Sequence, residues 1–183
     1  MDVGCGRGLL LVGVARRLSA GKAFGVDIWA PGAMSGNRPE AVLENATSEG
    51  VADRVELAGG DARRLPFQNN AFGVVVSNYV IHEVNTAAKR QQIISEVVRI
   101  LKPGGHLAVV DFIFTQECVE AFQRAGIANA SRTRLGTLSF WVGAIMSFGS
   151  SQNYLITGSK PLDYSKADSS ASTHQGLISR ASN

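Results

Sequence analysis

The sequence predicts an α/β protein in which helices cover both faces of a mostly parallel sheet. Two observations predict this fold class. Short apolar segments rich in β-branched residues alternate along the chain with segments of helical periodicity, and that alternation is typical of parallel sheets with crossover helices. A glycine-rich turn at residues 2–8 also separates the end of a first strand from a first helix.

The glycine-rich turn has the pattern Asp-x-Gly-x-Gly-x-Gly, and an apolar segment over residues 9–18 follows it at once. Glycine permits positive φ and lets the backbone approach a ligand closely. The helix N-terminus behind the turn offers unpaired N–H groups. The pattern therefore indicates a ligand-binding turn, with a purely structural turn as the alternative. Leu9 stands where a dinucleotide fingerprint has its third glycine, which disfavours a nicotinamide-dependent oxidoreductase.

The second strand, expected over residues 23–29, carries an acid near its carboxyl end. This acid is Asp27. In nucleoside-binding α/β folds, an acid at this place accepts hydrogen bonds from ribose hydroxyls. A solvated aspartate at the strand end is the alternative. The helix before this strand is expected to end near residues 19–21, with Gly21 as its C-cap.

The second helix is predicted from its start signals. Asn37 is the expected N-cap, Glu40 stands three residues later, and Pro39 is tolerated in the first turn. A later strand over residues 71–78 is apolar on both faces, so we expect it at the centre of the sheet.

The remaining elements follow from the same two patterns. They are a strand at 54–58, a helix at 87–101, a strand at 106–112, a helix at 117–125, and candidate last strands at 127–138 and 153–159. The Lys-Pro-Gly-Gly segment at 102–105 is expected to terminate the helix before it. We interpret the apolar segment 140–146 as core, with a substrate-facing or membrane-touching loop as the alternative. The domain is expected to span residues 1–160, followed by a disordered serine-rich tail at 161–183.

The composition excludes several classes of protein. The 183 residues are 45% hydrophobic and 18% charged, which suits a folded domain with a sizeable core. No segment reaches the roughly 18 apolar residues of a membrane span. The net charge of +3 comes from scattered basic residues, so we expect no nucleic-acid partner. Cys5 and Cys118 have no metal-like spacing, so no metal site is predicted. No signal-peptide pattern opens the chain, and a cytoplasmic location is the default expectation.

Several segments resemble, in the expected order, the motifs of class I S-adenosylmethionine-dependent methyltransferases, and most closely the small-molecule group called type 11. The resembling segments are 2–8, 25–28, 60–67, 72–82 and 99–105, and the likeness extends over about residues 2–160. It implies a Rossmann-like, doubly wound sheet of seven strands with an antiparallel last strand. It also implies S-adenosylmethionine as the cofactor and a small molecule as the methyl acceptor. The acceptor's identity and the oligomeric state are left open.

The resemblance further implies which residues hold the cofactor. They are Asp2, Gly4, Cys5, Gly6, Gly8, Asp27, Ile28, Asp61, Ala62 and Ser77. The glycine turn would face the methionine part, with Asp2 on the amino group through water and the Ser77 carbonyl nearby. Asp27 would accept from the ribose hydroxyls, and Ile28 would pack on adenine. Asp61 would accept from the adenine amino group, with the Ala62 N–H donating to a ring nitrogen.

The chemistry of methyl transfer requires a base only when the acceptor must lose a proton. His82 follows the central strand, and its ordinary pKa range suits that role, so it is the candidate catalytic residue. Glu83 is a weaker candidate, and a packing or capping role for His82 is the alternative. The side chain of Cys5 is expected only to pack.

Two departures from the family pattern stand out. Gly73 replaces the aspartate that usually opens the central strand, and we expect a less stable strand as a result. The chain also starts almost at the first motif, so we expect a domain truncated at its N-terminus, without the helices that in the family cover the cofactor. The alternative function is therefore an inactive methyltransferase-like domain that binds cofactor weakly or acts as an interaction module.

Overall fold

The computed structural model describes residues 1–30, 35–136 and 152–164, and within these ranges the strands form one seven-stranded sheet. The strands are β1 (Asp2–Val3), β2 (Ala23–Asp27), β3 (Val55–Gly59), β4 (Phe72–Asn78), β5 (Leu101–Asp111), β6 (Ser131–Arg134) and β7 (Tyr154–Ser159). Their order across the sheet is β3-β2-β1-β4-β5-β7-β6. Strands β1 to β5 are parallel, and β7 is antiparallel to both of its neighbours. The predicted fold class and antiparallel last strand are confirmed.

Four α-helices in the described ranges pack against this sheet. They are α1 (Leu9–Ala15), α2 (Pro39–Ser48), α3 (Ala87–Ile100) and α4 (Thr115–Arg124). Side chains that alternate along a strand point to opposite faces, and β2 shows the result. Ala23 packs in the cluster built by α1 and α2, whereas Val26 packs in the larger cluster built by α3 and α4. Helices therefore cover both faces, as predicted.

Two predicted helix boundaries are wrong. The first helix ends at Ala15 and not near residue 20; Gly21 adopts a φ of +81° in the loop beyond. The N-cap of α2 is Arg38 and not Asn37. The side-chain amide of Asn37 instead donates to Asp27 across the loop, at 3.3 Å. The Asn37 side chain thus hydrogen-bonds to a residue ten positions earlier in the chain instead of capping the helix.

Helix α3 ends at Ile100, just before the Lys-Pro-Gly-Gly segment, as predicted. Strand β5 already begins at Leu101 and includes this segment, whereas the strand was expected to begin at residue 106. The backbone of the Lys-Pro-Gly-Gly segment pairs with Lys160, the residue that follows β7. The Gly104 N–H donates to the Lys160 carbonyl, and the Lys160 N–H donates to the Gly105 carbonyl. The ladder between β4 and β5 shifts register between Phe72 and Val74, on either side of Gly73. The predicted loss of strand stability at Gly73 stays a prediction.

The last strands form the antiparallel pair that the sequence suggested, with Ser131 opposite Thr157 and Arg134 opposite Tyr154. Tyr164 of the expected tail packs on the domain, and its hydroxyl donates to the Ala125 carbonyl at 2.9 Å. The apolar segment 140–146 and the rest of the tail lie outside the described residues. None of the helices within the described ranges has the length and hydropathy of a membrane span.

Candidate functional site

A cavity of about 390 Å³ opens where the carboxyl ends of β1 to β4 meet. This volume lies in the range of small-molecule sites, and such crevices are the usual ligand sites of open α/β sheets. Five of the residues predicted to hold the cofactor line it: Gly4, Asp27, Ile28, Asp61 and Ala62. The other five lie outside its wall: Asp2, Cys5, Gly6, Gly8 and Ser77. The sheet thus brings together predicted site residues that are up to 58 positions apart in the sequence, from Gly4 to Ala62.

The start of the glycine turn forms one wall of the cavity. The N–H groups of Gly4 and Cys5 both donate to the Val26 carbonyl, at 2.8 and 3.1 Å, which fixes the turn against β2. Gly4 adopts a φ of +71°, and a Cβ added to it would lie 2.2 Å from a methyl carbon of Val80. Residue 4 must therefore be glycine for two separate reasons.

The remainder of the turn serves the packing of α1. Gly8 adopts a φ of +88°, and an added Cβ would lie 2.8 Å from a methyl carbon of Val42 in α2. The Cys5 side chain packs in the cluster beneath α1 and α2. Burial raises the pKa of its thiol to about 12, which leaves it in the unreactive protonated form.

Asp27 ties the glycine turn to the loop after β2. Its Oδ2 accepts from the Gly6 N–H at 2.9 Å. Its Oδ1 accepts from the Trp29 N–H at 2.8 Å and from the Asn37 amide at 3.3 Å. A carboxylate has about four acceptor positions, so the three donors leave Asp27 with capacity for one more.

Asp2 lies behind the turn, 3% exposed, and its Oδ1 has no hydrogen-bond donor among the described residues. Burial raises the pKa of this carboxyl to about 7, and the negative charge of Asp27 adds to the rise. Ser77 is buried beside it in β4, and its hydroxyl donates to the Val3 carbonyl at 2.8 Å. Behind the glycine turn, one buried acceptor atom thus has no donor among the residues that the structure describes.

Asp61 is held by a neighbour that the sequence prediction missed. The Arg63 N–H and Nε–H both donate to Oδ1, at 2.8 and 2.9 Å. Nε–H also reaches Oδ2 at 2.9 Å, and the terminal NH2 group of the guanidinium donates to the same oxygen. These hydrogen bonds lower the pKa of Asp61 from its ordinary value. The signal in the sequence is an arginine two positions after a turn aspartate, a spacing at which the two side chains can meet.

His82 lies in a short 3₁₀ turn, Ile81–Glu83, between two carboxylates. Its Nδ1 is 3.0 Å from Asp111 Oδ1, and its Nε2 is 3.1 Å from Glu83 Oε1. Burial alone would lower the pKa of His82, but the two acids outweigh burial and raise it above its ordinary value. His82 does not line the cavity, whereas Glu83 does. The weaker of the two predicted candidates is thus the one that faces the site.

Asp111 is the second residue that sequence reasoning missed. It ends β5 with no exposed surface, and its Oδ1 accepts from the Phe112 N–H at 2.8 Å. Its Oδ2 accepts from the His82 N–H at 3.2 Å, and its Oδ1 lies close to Nδ1 of the ring, so one buried carboxylate contacts both the backbone and the ring of His82. The signal was an acid at the carboxyl end of a buried parallel strand, the same signal that singled out Asp27.

Three aromatic residues with positive φ stand just after strand ends at this edge of the sheet. They are Trp29 after β2, Tyr79 after β4 and Phe114 after β5, with φ values of 45°, 55° and 57°. Backbone conformations of this kind are strained for bulky residues and cluster at functional sites. The Tyr79 ring lines the cavity and contacts the rings of His82 and Phe112 edge-on, with centroids 6.3 and 5.9 Å away. The residues with strained backbone therefore lie at the same edge of the sheet as the cavity.

Comparison of the sequence with known proteins shows the family to which the chain belongs. A family model described as a methyltransferase domain matches residues 1–109. The chain is 31% identical over 117 residues to a sterol 4-C-methyltransferase of Caenorhabditis elegans, covering 64% of this chain and 32% of that protein. It is 32% identical over 112 residues to a demethylmenaquinone methyltransferase of Lactiplantibacillus plantarum, covering 61% of this chain and 44% of that protein. The chain thus spans between a third and a half of the length of these relatives.

A solved structure shares the same fold. The crystal structure of the [4+2]-cyclase SpnF superposes with a TM-score of 0.66 at 20% identity, covering 88% of this chain and 73% of that one. This likeness concerns the backbone arrangement alone, because identity at that level does not carry an activity across.

Proposed function

This chain belongs to the class I S-adenosylmethionine-dependent methyltransferases, and we propose on that premise that its strand-end cavity binds S-adenosylmethionine and is where a small-molecule acceptor is methylated. One observation carries the proposal. Gly4, Asp27 and Asp61 come from the ends of three neighbouring strands and line a single cavity. These are the positions to which the family resemblance assigns the methionine, ribose and adenine parts of the cofactor.

The residues of this chain fit that cofactor. Asp2 has a buried acceptor atom without a donor, and the cofactor's amino group would satisfy it through a bridging water. Asp27 keeps one acceptor position, which suits a ribose hydroxyl. Ile28 lines the cavity with 61% of its surface exposed, and an adenine ring packed on it would remove apolar surface from water.

When bound, S-adenosylmethionine supplies a methyl group that its sulfonium has already activated. The protein therefore needs to align the acceptor and exclude water more than it needs to generate a leaving group. Apolar side chains such as Val80 and Ile93 line the same cavity and favour exclusion of water. Methyl transfer is the activity that this environment supports.

Where the acceptor must lose a proton, we propose that Glu83 is the residue that contacts the acceptor and takes this proton. Its carboxylate lines the cavity and lies 3.1 Å from Nε2 of His82, so a proton taken from the acceptor can be shared with the imidazole. Asp111 on the other side stabilises the imidazolium. His82 then acts behind Glu83, which differs from the direct role that the sequence predicted for it.

Thermal unfolding of the 183-residue chain with and without S-adenosylhomocysteine tests the proposal. At about 100 times Kd, a ligand adds about 2.7 kcal/mol of stability, and for a domain of this size Tm rises by about 5–11 °C. Asp27→Asn should show a smaller rise, whereas Asp53→Asn, an exposed aspartate distant from the cavity, should match the wild type.

A cooperative transition that does not shift with the ligand would rule out cofactor binding by this chain. Incubation with methyl-labelled S-adenosylmethionine and a panel of small-molecule acceptors then separates the two functions that the sequence left open. Label transfer supports the enzyme, and a thermal shift without any transfer supports the inactive, cofactor-binding domain. A cytoplasmic location and the absence of a nucleic-acid partner stay predictions.

A further inference from the structure

A buried arginine in the first turn of α3, Arg90, joins three parts of the protein. Only 5% of its side chain is exposed. Its Nε–H and one terminal NH2 group donate to the two carboxylate oxygens of Glu117 in α4, at 3.0 and 2.7 Å. Its other terminal NH2 group donates to the Val84 carbonyl at 3.0 Å, and the central carbon of the guanidinium lies 3.7 Å from the centre of the Phe114 ring. Arg90 thus contacts α4 and both of the loops that follow β4 and β5.

These two loops carry the groups to which we assign the acceptor's proton. Val84 directly follows Glu83, which faces the cavity. Phe114 lies three residues after Asp111, whose carboxylate is 3.0 Å from the ring of His82. A shift of either loop would therefore change the distance between the imidazole and one of its two carboxylates.

The energetics of the Arg90 contacts favour a role in geometry over a role in stability. Burying an ion pair removes its hydration, and this cost offsets much of the attraction between the charges. A guanidinium that binds a carboxylate through two donors nevertheless fixes the orientation of both groups. Phe114 requires such support, because its φ of +57° is strained for an aromatic residue and persists only where neighbours hold it.

We propose that Arg90 is a positioning residue that holds the Glu83–His82 pair in its working geometry through these two loops. Arg90 does not itself line the cavity, so it acts through Val84 and the strained loop after β5. The inference rests on the proposed function in one respect, because it takes Glu83 and His82 as the groups that receive the acceptor's proton.

The pKa of His82, followed by NMR titration of its imidazole, tests this role without cofactor or acceptor. Burial lowers the pKa of His82, but the two carboxylates raise it further, with a net rise. Arg90→Lys keeps the charge but replaces the planar fork by a single ammonium group, which cannot bind Glu117 and Val84 together as the guanidinium does. The loops should then move apart, and the pKa of His82 should fall toward its ordinary value. Glu117→Gln keeps the contact with Val84 and should give a smaller fall.

Arg99 provides the matched control, because it makes the same kinds of contact at the other end of α3. Its guanidinium binds the Glu96 carboxylate and also donates to the carbonyls of Leu65 and Phe67. Arg99 is nine residues beyond Arg90, about 14 Å along the helix axis. Arg99→Lys should therefore lower the temperature of unfolding but leave the pKa of His82 at its wild-type value.

An unchanged pKa of His82 in Arg90→Lys would overturn the inference, and so would an equal fall in Arg99→Lys, which would indicate general loosening. Thermal unfolding checks that each variant is folded, and Glu117→Gln decides the question if Arg90→Lys does not fold. With an acceptor that must lose a proton, kcat of Arg90→Lys should fall by up to about 100-fold. A wild-type chain that binds no S-adenosylhomocysteine would reject the proposed cofactor site, whereas the titration would still decide whether Arg90 positions the imidazole.

Discussion

Replacing Gly4 by alanine tests how tightly the glycine turn is built. Two separate penalties are expected. The φ of +71° is a left-handed conformation, which costs a residue with a Cβ about 1–2 kcal/mol. The added Cβ would also lie 2.2 Å from a methyl carbon of Val80, and overpacking of this kind costs about 1–3 kcal/mol. Gly4→Ala should therefore lower the free energy of unfolding by about 2–5 kcal/mol.

A second substitution separates the two penalties. Val80→Ala removes the methyl groups that the new Cβ would meet, so the double variant should regain the overpacking part while the backbone strain remains. A double-mutant cycle from urea titrations should give a coupling of about 1–3 kcal/mol. Gly21→Ala is the matched control, because Gly21 has a φ of +81° with no atom near an added Cβ. It should lose only the backbone penalty.

The reasoning would be refuted by either of two results. One is a Gly4→Ala variant as stable as Gly21→Ala, which would mean that no steric penalty exists at residue 4. The other is a cycle without coupling, which would mean that Val80 does not contact the turn. S-adenosylhomocysteine affinity should fall in Gly4→Ala as well, because the shifted turn forms a wall of the cavity.

Two further predictions concern titration. Burial raises the pKa of Asp2 to about 7 from 3.8, so the folded chain keeps a proton that the unfolded chain has lost, and Asp2 lowers stability as pH rises from about 4 to 7. This decline amounts to up to about 4 kcal/mol in the free energy of unfolding. Asp2→Asn should abolish it in urea titrations, and an identical pH dependence in the variant would contradict the prediction. Asp111→Asn should lower the pKa of His82 in an NMR titration, because it removes the acid that raises this pKa most, and by more than Glu83→Gln, which removes an acid that is 72% exposed. An unchanged pKa would show that Asp111 does not hold the ring.

The order of strands and helices was predictable because it depends on local apolar patterns, as in β4 and α3. The errors arose where distant contacts decided the structure. Asn37 donates to Asp27 instead of capping the helix. Strand β5 begins before residue 106, where the backbone of Gly104 and Gly105 pairs with Lys160. Neither partner could be identified from the residues around the segment.

In the candidate site, too, residues marked by local sequence patterns were predictable, whereas contacts between distant residues were not. Gly4, Asp27 and Asp61 were predictable because a family motif marks each of them. The strand-end position of Asp111 was visible in the sequence, but its contact with His82 was not, because that contact joins residues 29 apart and depends on β4 and β5 being neighbours. Arg63 is close in sequence to Asp61, but only the side-chain conformation shows that its guanidinium contacts both carboxylate oxygens.

A crystal structure of the chain with S-adenosylhomocysteine would test the central claim most directly. We predict a ribose hydroxyl within hydrogen-bond distance of Asp27, the adenine packed on Ile28, and the adenine amino group on Asp61. Ligand density elsewhere on the chain, or a cavity left empty under conditions where calorimetry shows binding, would contradict the assignment of this cavity as the cofactor site.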